Sequence, residues 1–324
     1  MTANRRLSVA VVGAGRMGAN HARILAAAQG VELYAIVDHN AHKAARLAAQ
    51  HGCAAFDDPA QLVGQIDAAT IATPSTLHAE VGRFLLANGI ACLIEKPLAL
   101  TEPDCISLIE ASQKHGVPLG VGHVERFNPA VMRAIEFLDG AKIHSIEARR
   151  LNPGSARILD NDVVGDLMVH DLDIVLHLMG RMPTGYSAHG IALRKPGVPD
   201  HVTALLSFGD DAVASLIASR VTHIKVRDLQ ILTDTGLVTV DFVGQQALFM
   251  RSGEQDRRPV AGAPTPASIA VEQLAVRQAE PLALELSAFL DAVRTGRLDA
   301  GVSGEDALAA LRAVWAIQKE LGLF

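Results

Sequence analysis

Sulfur, aromatic rings and long apolar runs are all scarce in this chain. Of its 324 residues only three are cysteines, Cys53, Cys92 and Cys105. An odd, scattered set does not make a disulfide framework, and no paired-cysteine or H-E-x-x-H motif offers a zinc site. The pattern suits a reducing cytoplasm and predicts no metal. Aromatic residues are 4% of the chain against 49% hydrophobic overall, so the core is expected to be aliphatic. There is no basic excess: 29 Lys and Arg face 35 Asp and Glu, for a net charge of −6. That balance argues against a general nucleic-acid binder, local basic patches aside. No apolar run approaches the roughly 18 to 20 residues that span a bilayer. The start, "MTANRRLSVAVVGAGRMG", runs through a short apolar stretch straight into a glycine turn and has no small-residue cleavage pattern, so it is not read as a signal peptide. The expected setting is cytoplasmic, with no membrane partner.

What is present divides at about residue 123. Before it, short apolar runs ("LSVAVVGAG", "VELYAIVD", "DAATIATP", "ACLIEKP", "VPLGVGH") alternate with alanine-rich helical stretches ("GANHARILAAAQG", "AHKAARLAAQHG", "STLHAEVGRFLLANG"). Strands alternating with helices predict a doubly wound parallel sheet over residues 1–122. After it come the strand-like runs "KIHSIEARRL", "HVTALLSFG", "VASLIASRV", "DLQILTDTGLVTVDF" and "QALFMRS". They predict a mainly antiparallel sheet with one covered face, in an α+β domain over residues 123–324. "RRPVAGAPTPAS" reads as irregular. Two helices end the chain and are candidates for packing back on the first domain. In the second of them Ser303 and Asp306 have the spacing of an N-terminal capping pair.

The first strand leads into Gly13-x-Gly15-x-x-Gly18, and Asp38 lies at the end of the next strand, twenty residues after Gly18. Alone, G-x-G-x-x-G says little. Between a strand and a helix, with an acidic residue at that distance, it is a dinucleotide fingerprint. Gly13 permits the tight turn, Gly15 lets backbone approach a pyrophosphate, and Gly18 allows close helix packing. Arg16 and Met17 complete the turn, and the helix start offers free N–H groups to phosphate. Asp38 accepts hydrogen bonds from ribose hydroxyls and repels the extra phosphate of NADP, so NAD is the expected cofactor.

"IATPSTLH" and "EKPLAL" each follow a strand of the parallel sheet, at the edge where ligands bind. With "GAGRMG", "HVERFNPA", "GDLMVHDLD" and "EPLALELSAFLDAVRTGR…VSGEDALAAL", they make the chain resemble the glucose–fructose oxidoreductase/inositol dehydrogenase (Gfo/Idh/MocA) family along nearly its whole length. The resemblance implies a Rossmann domain, then an open-faced sheet domain that commonly mediates oligomers, here a homodimer or homotetramer. It places Thr73, Pro74, His78, Glu95, Lys96 and Pro97 at the cofactor. Lys96 would also touch the substrate, where an ammonium stabilises developing alkoxide charge.

"GDLMVHDLDIVLHL" is apolar yet holds Asp166, His170, Asp171, Asp173 and His177. As an α-helix turning about 100° per residue, it puts Asp166, His170, Asp173 and His177 within about 60° of one another, and Asp171 about 140° from Asp166. Buried charges need partners, solvent or a ligand, so the stripe is either a structural Asp–His network or a catalytic seam. The resemblance favours the seam. It implies His170 as general acid/base, Asp166 as its orienting carboxylate and Asp173 as a grip on a substrate hydroxyl. It leaves His177 open between site and core. Asp171 is expected only to tie the helix to a neighbour.

"HVERFNPA" is similar to the branch of the family that acts at C3 of UDP-N-acetylglucosamine. A UDP-sugar needs cations for its diphosphate, and Arg126, Arg149, Arg150 and Arg157 are close in sequence. Of these, Arg126 and Arg157, with Asn128, are assigned to substrate. Arg126 has an alternative as an ion-pair partner for Glu125, and the "RR" pair could equally be a solvated strand edge. The reaction expected is oxidation of C3 to a ketone, which a PLP aminotransferase would use in making lipid A or another surface glycan. The alternatives are a dehydrogenase of a free polyol such as inositol and a non-enzymatic NAD-binding regulator.

Overall fold

The computed structural model describes residues 6–153, 162–252 and 269–323. It divides into two compact units, residues 1–127 with 280–309 and residues 128–279 with 310–324.

The first unit is built on a parallel sheet. Its strands are β1 (Leu7–Val12), β2 (Val31–Val37), β3 (Ala54–Phe56), β4 (Ala68–Ile71), β5 (Ala91–Glu95) and β6 (Leu119–Gly122), in the order β3-β2-β1-β4-β5-β6. Between them run α1 (Arg16–Ala27), α2 (Ala41–His51), α3 (His78–Ala87) and α4 (Glu102–His115). β1, β4 and β5 are buried almost throughout, as strands covered on both faces must be. One face packs α1 against the sheet. The same core takes Leu282, Leu286, Phe289 and Leu290 from a helix at Pro281–Thr295. The strand order reverses between β1 and β4. Loops leaving the carboxyl ends of β1, β4 and β5 therefore gather at the crevice where open α/β sheets bind ligands.

The second unit begins with α5 (Pro129–Phe137) and is dominated by an eight-stranded sheet. Its strands are β7 (Ile143–Pro153), β8 (Gly185–Ile191), β9 (His201–Ser207), β10 (Val213–Thr222), β11 (Val226–Thr233), β12 (Leu237–Asp241), β13 (Gln246–Ser252) and β14 (Ile269–Leu274). The order is β14-β13-β12-β11-β7-β10-β9-β8, antiparallel except where β7 and β10 run parallel at its centre. Alternation runs along β9, through Val213–Ala218 of β10 and over the second half of β11, with Val202, Ala204, Leu206, Leu216, Ala218, Leu229 and Ile231 buried. α5 lies against β12 and β13, and α6 (Val169–Met179) against β7. The helices seen at the end of the sequence are α7 (Pro281–Thr295) and α8 (Gly304–Glu320). Ser303 and Asp306 cap α8 reciprocally: Asp306 N donates to Ser303 Oγ at 3.1 Å and Ser303 N to Asp306 Oδ2 at 3.3 Å.

Two edge strands, β8 and β14, were not among the runs read as strands. The stretch at 257–268, expected from the sequence to be irregular, lies outside the described residues.

Candidate active site

In the first unit the glycine turn is fixed by what a side chain would strike. Gly13 sits at φ +107°, and a Cβ there would lie 2.5 Å from the Ala72 carbonyl oxygen. A Cβ on Gly18 would fall 1.7 Å from the Gly13 oxygen. Beside Gly15 the space is open, with nothing within 4 Å of an added Cβ. Gly15 is also the N-cap of α1 and brings no side-chain cap, and the first turn holds no acidic residue. The N–H groups at the start of this helix are thus left to a ligand acceptor. Gly15 and Arg16 are exposed, while Met17 is half-buried against the core. Asp38 is held to this turn: Ala14 N donates to its Oδ2 at 2.8 Å and Asn40 N to its Oδ1 at 2.9 Å. A carboxylate has further lone pairs for a diol.

The other two loops of this edge join through His78, the first residue of α3. Its Nδ1 lies 2.8 Å from the Pro97 carbonyl oxygen and its Nε2 3.1 Å from that of Thr73. The ring is buried, so it ties "TPSTLH" to "EKP" from beneath. Thr73 Oγ1 is buried and has no hydrogen-bond partner among the described residues. Such a hydroxyl in a native site implies a missing acceptor or donor. Glu95 ends β5, and its Oε1 lies 3.0 Å from Nε2 of the buried His21 on α1. Lys96 is half-buried, and the Lys96–Pro97 peptide is cis. An open glycine, an uncapped helix start, a tethered Asp38 and an orphaned Thr73 hydroxyl together fit a dinucleotide. Arg126 is buried at the end of the unit's first segment, and its Nη1 donates to Asp306 Oδ2 at 3.2 Å. That contact ties it to the capping pair of α8.

In the second unit the acid-rich helix departs from a single regular period. Val164–Met168 is π-helical and α6 follows from Val169. Asp162 caps this wide turn, its Oδ1 accepting from Val164 N at 2.7 Å and Gly165 N at 3.2 Å. Its Oδ2 accepts from Gln318 Nε2 at 2.7 Å. A π turn bonds i to i+5 and holds an extra residue. The 100° projection therefore does not carry from Asp166 to His170. It does hold within α6, where His170, Asp173 and His177 share one stripe. Asp166 and His170 are half-buried, Asp173 is buried and His177 exposed.

Asp171 faces elsewhere and is bound bidentately by Arg150 of β7, Nε to Oδ2 at 3.0 Å and Nη2 to Oδ1 at 2.8 Å. Both are buried, and the guanidinium also lies 5.3 Å from the Phe242 ring centroid. Arg150 is therefore structural and unavailable to a diphosphate. Its neighbour Arg149 points to the other face of β7 and pairs with Asp228 on β11. Asn128 is buried and uses both ends of its amide for the fold. Its Oδ1 accepts from Ala130 N at 3.1 Å to cap α5, and its Nδ2 donates to the Phe242 carbonyl at 3.0 Å. Arg157 lies outside the described residues. Among the described residues no group of His, Cys, Asp and Glu could hold a metal ion.

Residues 7–123 match the family model described as an oxidoreductase family with an NAD-binding Rossmann fold, and residues 141–239 match the C-terminal domain of the same family. The chain belongs to the Gfo/Idh/MocA family. It is an NAD-dependent dehydrogenase. It is 36% identical over 302 residues to a UDP-N-acetylglucosamine 3-dehydrogenase of Acidithiobacillus ferrooxidans, covering 93% of each chain. A solved structure of the enzyme of that name from the same organism superposes with a TM-score of 0.88 and 30% identity, covering 97% of each chain. A myo-inositol dehydrogenase of Streptomyces leeuwenhoekii is 33% identical over 231 residues, covering 66% of this chain and 70% of that one.

Two residues of this Gfo/Idh/MocA protein went unassigned in the sequence. His21 is three residues beyond Gly18, at the spacing that returns to the same helix face, and that periodicity was the available signal. Asp162 gave none, because a cap on a π turn has no fixed sequence offset.

Proposed function

We propose that this dehydrogenase oxidises the C3 hydroxyl of UDP-N-acetylglucosamine, or of a close UDP-sugar, to the 3-keto sugar nucleotide. The observation that carries the reading is the end-to-end likeness to a UDP-N-acetylglucosamine 3-dehydrogenase at 36% identity. The "HVERFNPA" stretch supports it. When bound, NAD accepts the hydride from the carbinol carbon. Gly13, Gly15, Arg16, Met17 and Gly18 hold its pyrophosphate, and Asp38 its ribose. Thr73, Pro74, His78, Glu95 and Pro97 shape the wall that carries Lys96. Lys96 donates a hydrogen bond to the carbinol oxygen and stabilises the charge that grows there. His170 takes the hydroxyl proton, Asp166 orients its ring, and Asp173 holds a neighbouring hydroxyl. Arg157 is the cation assigned to the diphosphate.

The ketone so made has the chemistry that a PLP aminotransferase converts to an amine, which places the enzyme in the cytoplasmic synthesis of lipid A or another surface glycan. Among the described residues no helix is long and apolar enough to cross a membrane. A homodimer or homotetramer would cover the open face of the second sheet. On that face Val213 and Leu232 flank Ser145 in register and are each 44% exposed, and Leu205 is 51% exposed.

The test is incubation with UDP-N-acetylglucosamine and NAD. NADH should appear with a sugar nucleotide lighter by two hydrogens. Turnover of free inositol with none of the UDP-sugar would overturn the assignment and favour the second reading, which the inositol dehydrogenase relative supports.

A further inference from the structure

We infer that two buried histidines, His21 and His78, are positioning residues for Lys96, and that His78 divides its ring between the lysine turn and the cofactor loop. The inference rests on the reading of Lys96 as the group beside the reacting hydroxyl.

Lys96 follows the last residue of β5, where the ladder of backbone hydrogen bonds stops. Beyond the ladder, the backbone that carries a side chain is placed in part by what fastens the residues on either side of it. Here both neighbours are fastened by a histidine from a different helix. Glu95 is held by His21 of α1 at 3.0 Å, and the Pro97 carbonyl by His78 of α3 at 2.8 Å. Neither ring meets solvent, with His21 0% and His78 1% exposed. Apolar residues would fill such sites at less cost, since a buried polar group loses its water. Nδ1 of His21 has no hydrogen-bond partner among the described residues, so in hydrogen bonding that ring is committed to Glu95.

His78 has a second commitment, 3.1 Å from Nε2 to the Thr73 carbonyl. Thr73 lies in the loop after β4, which flanks the glycine turn at Ala72, under Gly13. A neutral imidazole has one N–H. Both contacts are to carbonyl oxygens, which only accept, so a ring with one N–H donates to one of them at a time, and the two contacts serve different loops and can be separated chemically. An asparagine amide nitrogen falls near the place of Nδ1, and a glutamine amide nitrogen near that of Nε2. His78→Asn keeps the Pro97 contact and loses the Thr73 contact, while His78→Gln does the reverse.

The experiment compares these two variants with His21→Gln, which keeps the bond to Glu95, and His21→Asn, which loses it. NADH affinity, kcat with the UDP-sugar and the acylation rate of Lys96 by an amine-reactive ester in cofactor-free protein are measured, the last by mass spectrometry. His78→Gln should lose roughly tenfold or more in kcat, by more than it loses in NADH affinity. His78→Asn should show the opposite split. Lys96 acylation should change in His78→Gln and His21→Asn and stay at the unsubstituted rate in the other two. Equal losses in both His78 variants, or one acylation rate throughout, would overturn the inference. So would failure of all four variants to fold, which would make the rings ordinary core. If only the His78 variants fail to fold, the His21 pair decides. If the unsubstituted protein oxidises no UDP-sugar, the substrate assignment falls, and NADH affinity and Lys96 acylation still decide this inference.

Discussion

The two units carry the residues proposed for the chemistry in different materials. In the first, the cofactor edge is mostly backbone: missing side chains at Gly13, Gly15 and Gly18, the N–H groups of α1, and one carboxylate tethered by Ala14 N. In the second, the proposed groups Asp166, His170 and Asp173 are all side chains, carried on one helix and its π-helical lead-in. A backbone site tolerates almost any neighbour and fails when a single methyl group is added. A side-chain site puts chemical and structural charges on the same segment. Asp166 and Asp171 lie five residues apart, and Asp171 is fully occupied by Arg150. What a charge faces, more than where it falls in the sequence, decides its use.

The largest effect should come from the groups assigned to the reacting atoms. Lys96→Ala and His170→Ala should each lower turnover by about 10²- to 10⁴-fold. NADH binding by His170→Ala should stay near that of the unsubstituted protein, since the proposed cofactor contacts lie in the first unit. Steady-state kinetics with a fluorescence titration of NADH separates the two. Unchanged turnover in both variants would remove Lys96 and His170 from the catalytic assignment, whereas NADH binding with no turnover in the unsubstituted protein would leave a regulator-like NAD binder.

Next in size is the buried pair. Arg150 and Asp171 have side-chain exposures of 1% and 3%. Removing one partner leaves a charge buried without compensation, at a cost of about 3–5 kcal/mol. Asp171→Leu should therefore lower the urea midpoint sharply, and Arg150→Met with Asp171→Leu should recover part of the loss. The pair of exposed Arg149 with half-buried Asp228, on the other face of the same strand, should cost about 0–1 kcal/mol when Arg149 becomes Ala. Similar losses at Arg149 and Arg150 would mean that burial does not separate them.

The parallel sheet, the glycine turn and the cap at Ser303 were legible because each has a fixed spacing set by backbone geometry. The second sheet was legible only where it is half-covered. β9 and parts of β10 and β11 alternate between buried and more exposed positions, whereas the edge strands β8 and β14 are largely exposed and carry no such pattern. The π turn was invisible, since one extra residue in one turn leaves no period to read. The Arg150–Asp171 pair was half legible: adjacent residues on a strand face opposite sides, so one arginine of "RR" had to point inward. Its partner, twenty-one residues away on another element, could not be read from spacing.

Within the first unit, two glycines test whether the cradle is open where it should be and closed elsewhere. Gly18→Ala drives a methyl group into the Gly13 carbonyl, so the turn must move. It should lower the thermal midpoint by several degrees, in proportion to roughly 1–3 kcal/mol of strain. Gly15→Val places its Cβ with no protein atom within 4 Å and, compared with Gly18→Ala, should lower the thermal midpoint of cofactor-free protein by less. Its NADH affinity should fall by about tenfold or more, because the branched side chain stands where a pyrophosphate would approach. Equal NADH affinity in Gly15→Val and the unsubstituted chain would mean that the phosphates do not use this helix start.

The smallest effect should be a pH dependence confined to the second unit. Asp200 is fully buried, and burial works against its charge. Arg220 Nε at 2.7 Å and the N–H groups of Leu193 and Arg194, both at 2.8 Å, more than offset that and hold the carboxyl below its usual range. A carboxyl whose folded pKa is depressed contributes stability that is present above its unfolded value, about 3.9. That contribution shrinks once the pH drops below the unfolded value and is gone after it passes the lower folded one. Urea midpoints should therefore be insensitive to this group between neutrality and mild acid, and should fall with further acidification. In Asp200→Asn that acid-side slope should be shallower, from a lower starting midpoint, because Arg220 keeps an acceptor and loses a charge. A slope as steep as in the unsubstituted chain would assign the acid sensitivity to other carboxylates, among them Asp104 and Asp211. Those are lowered too, each by an arginine at the surface, where solvent screens the pair.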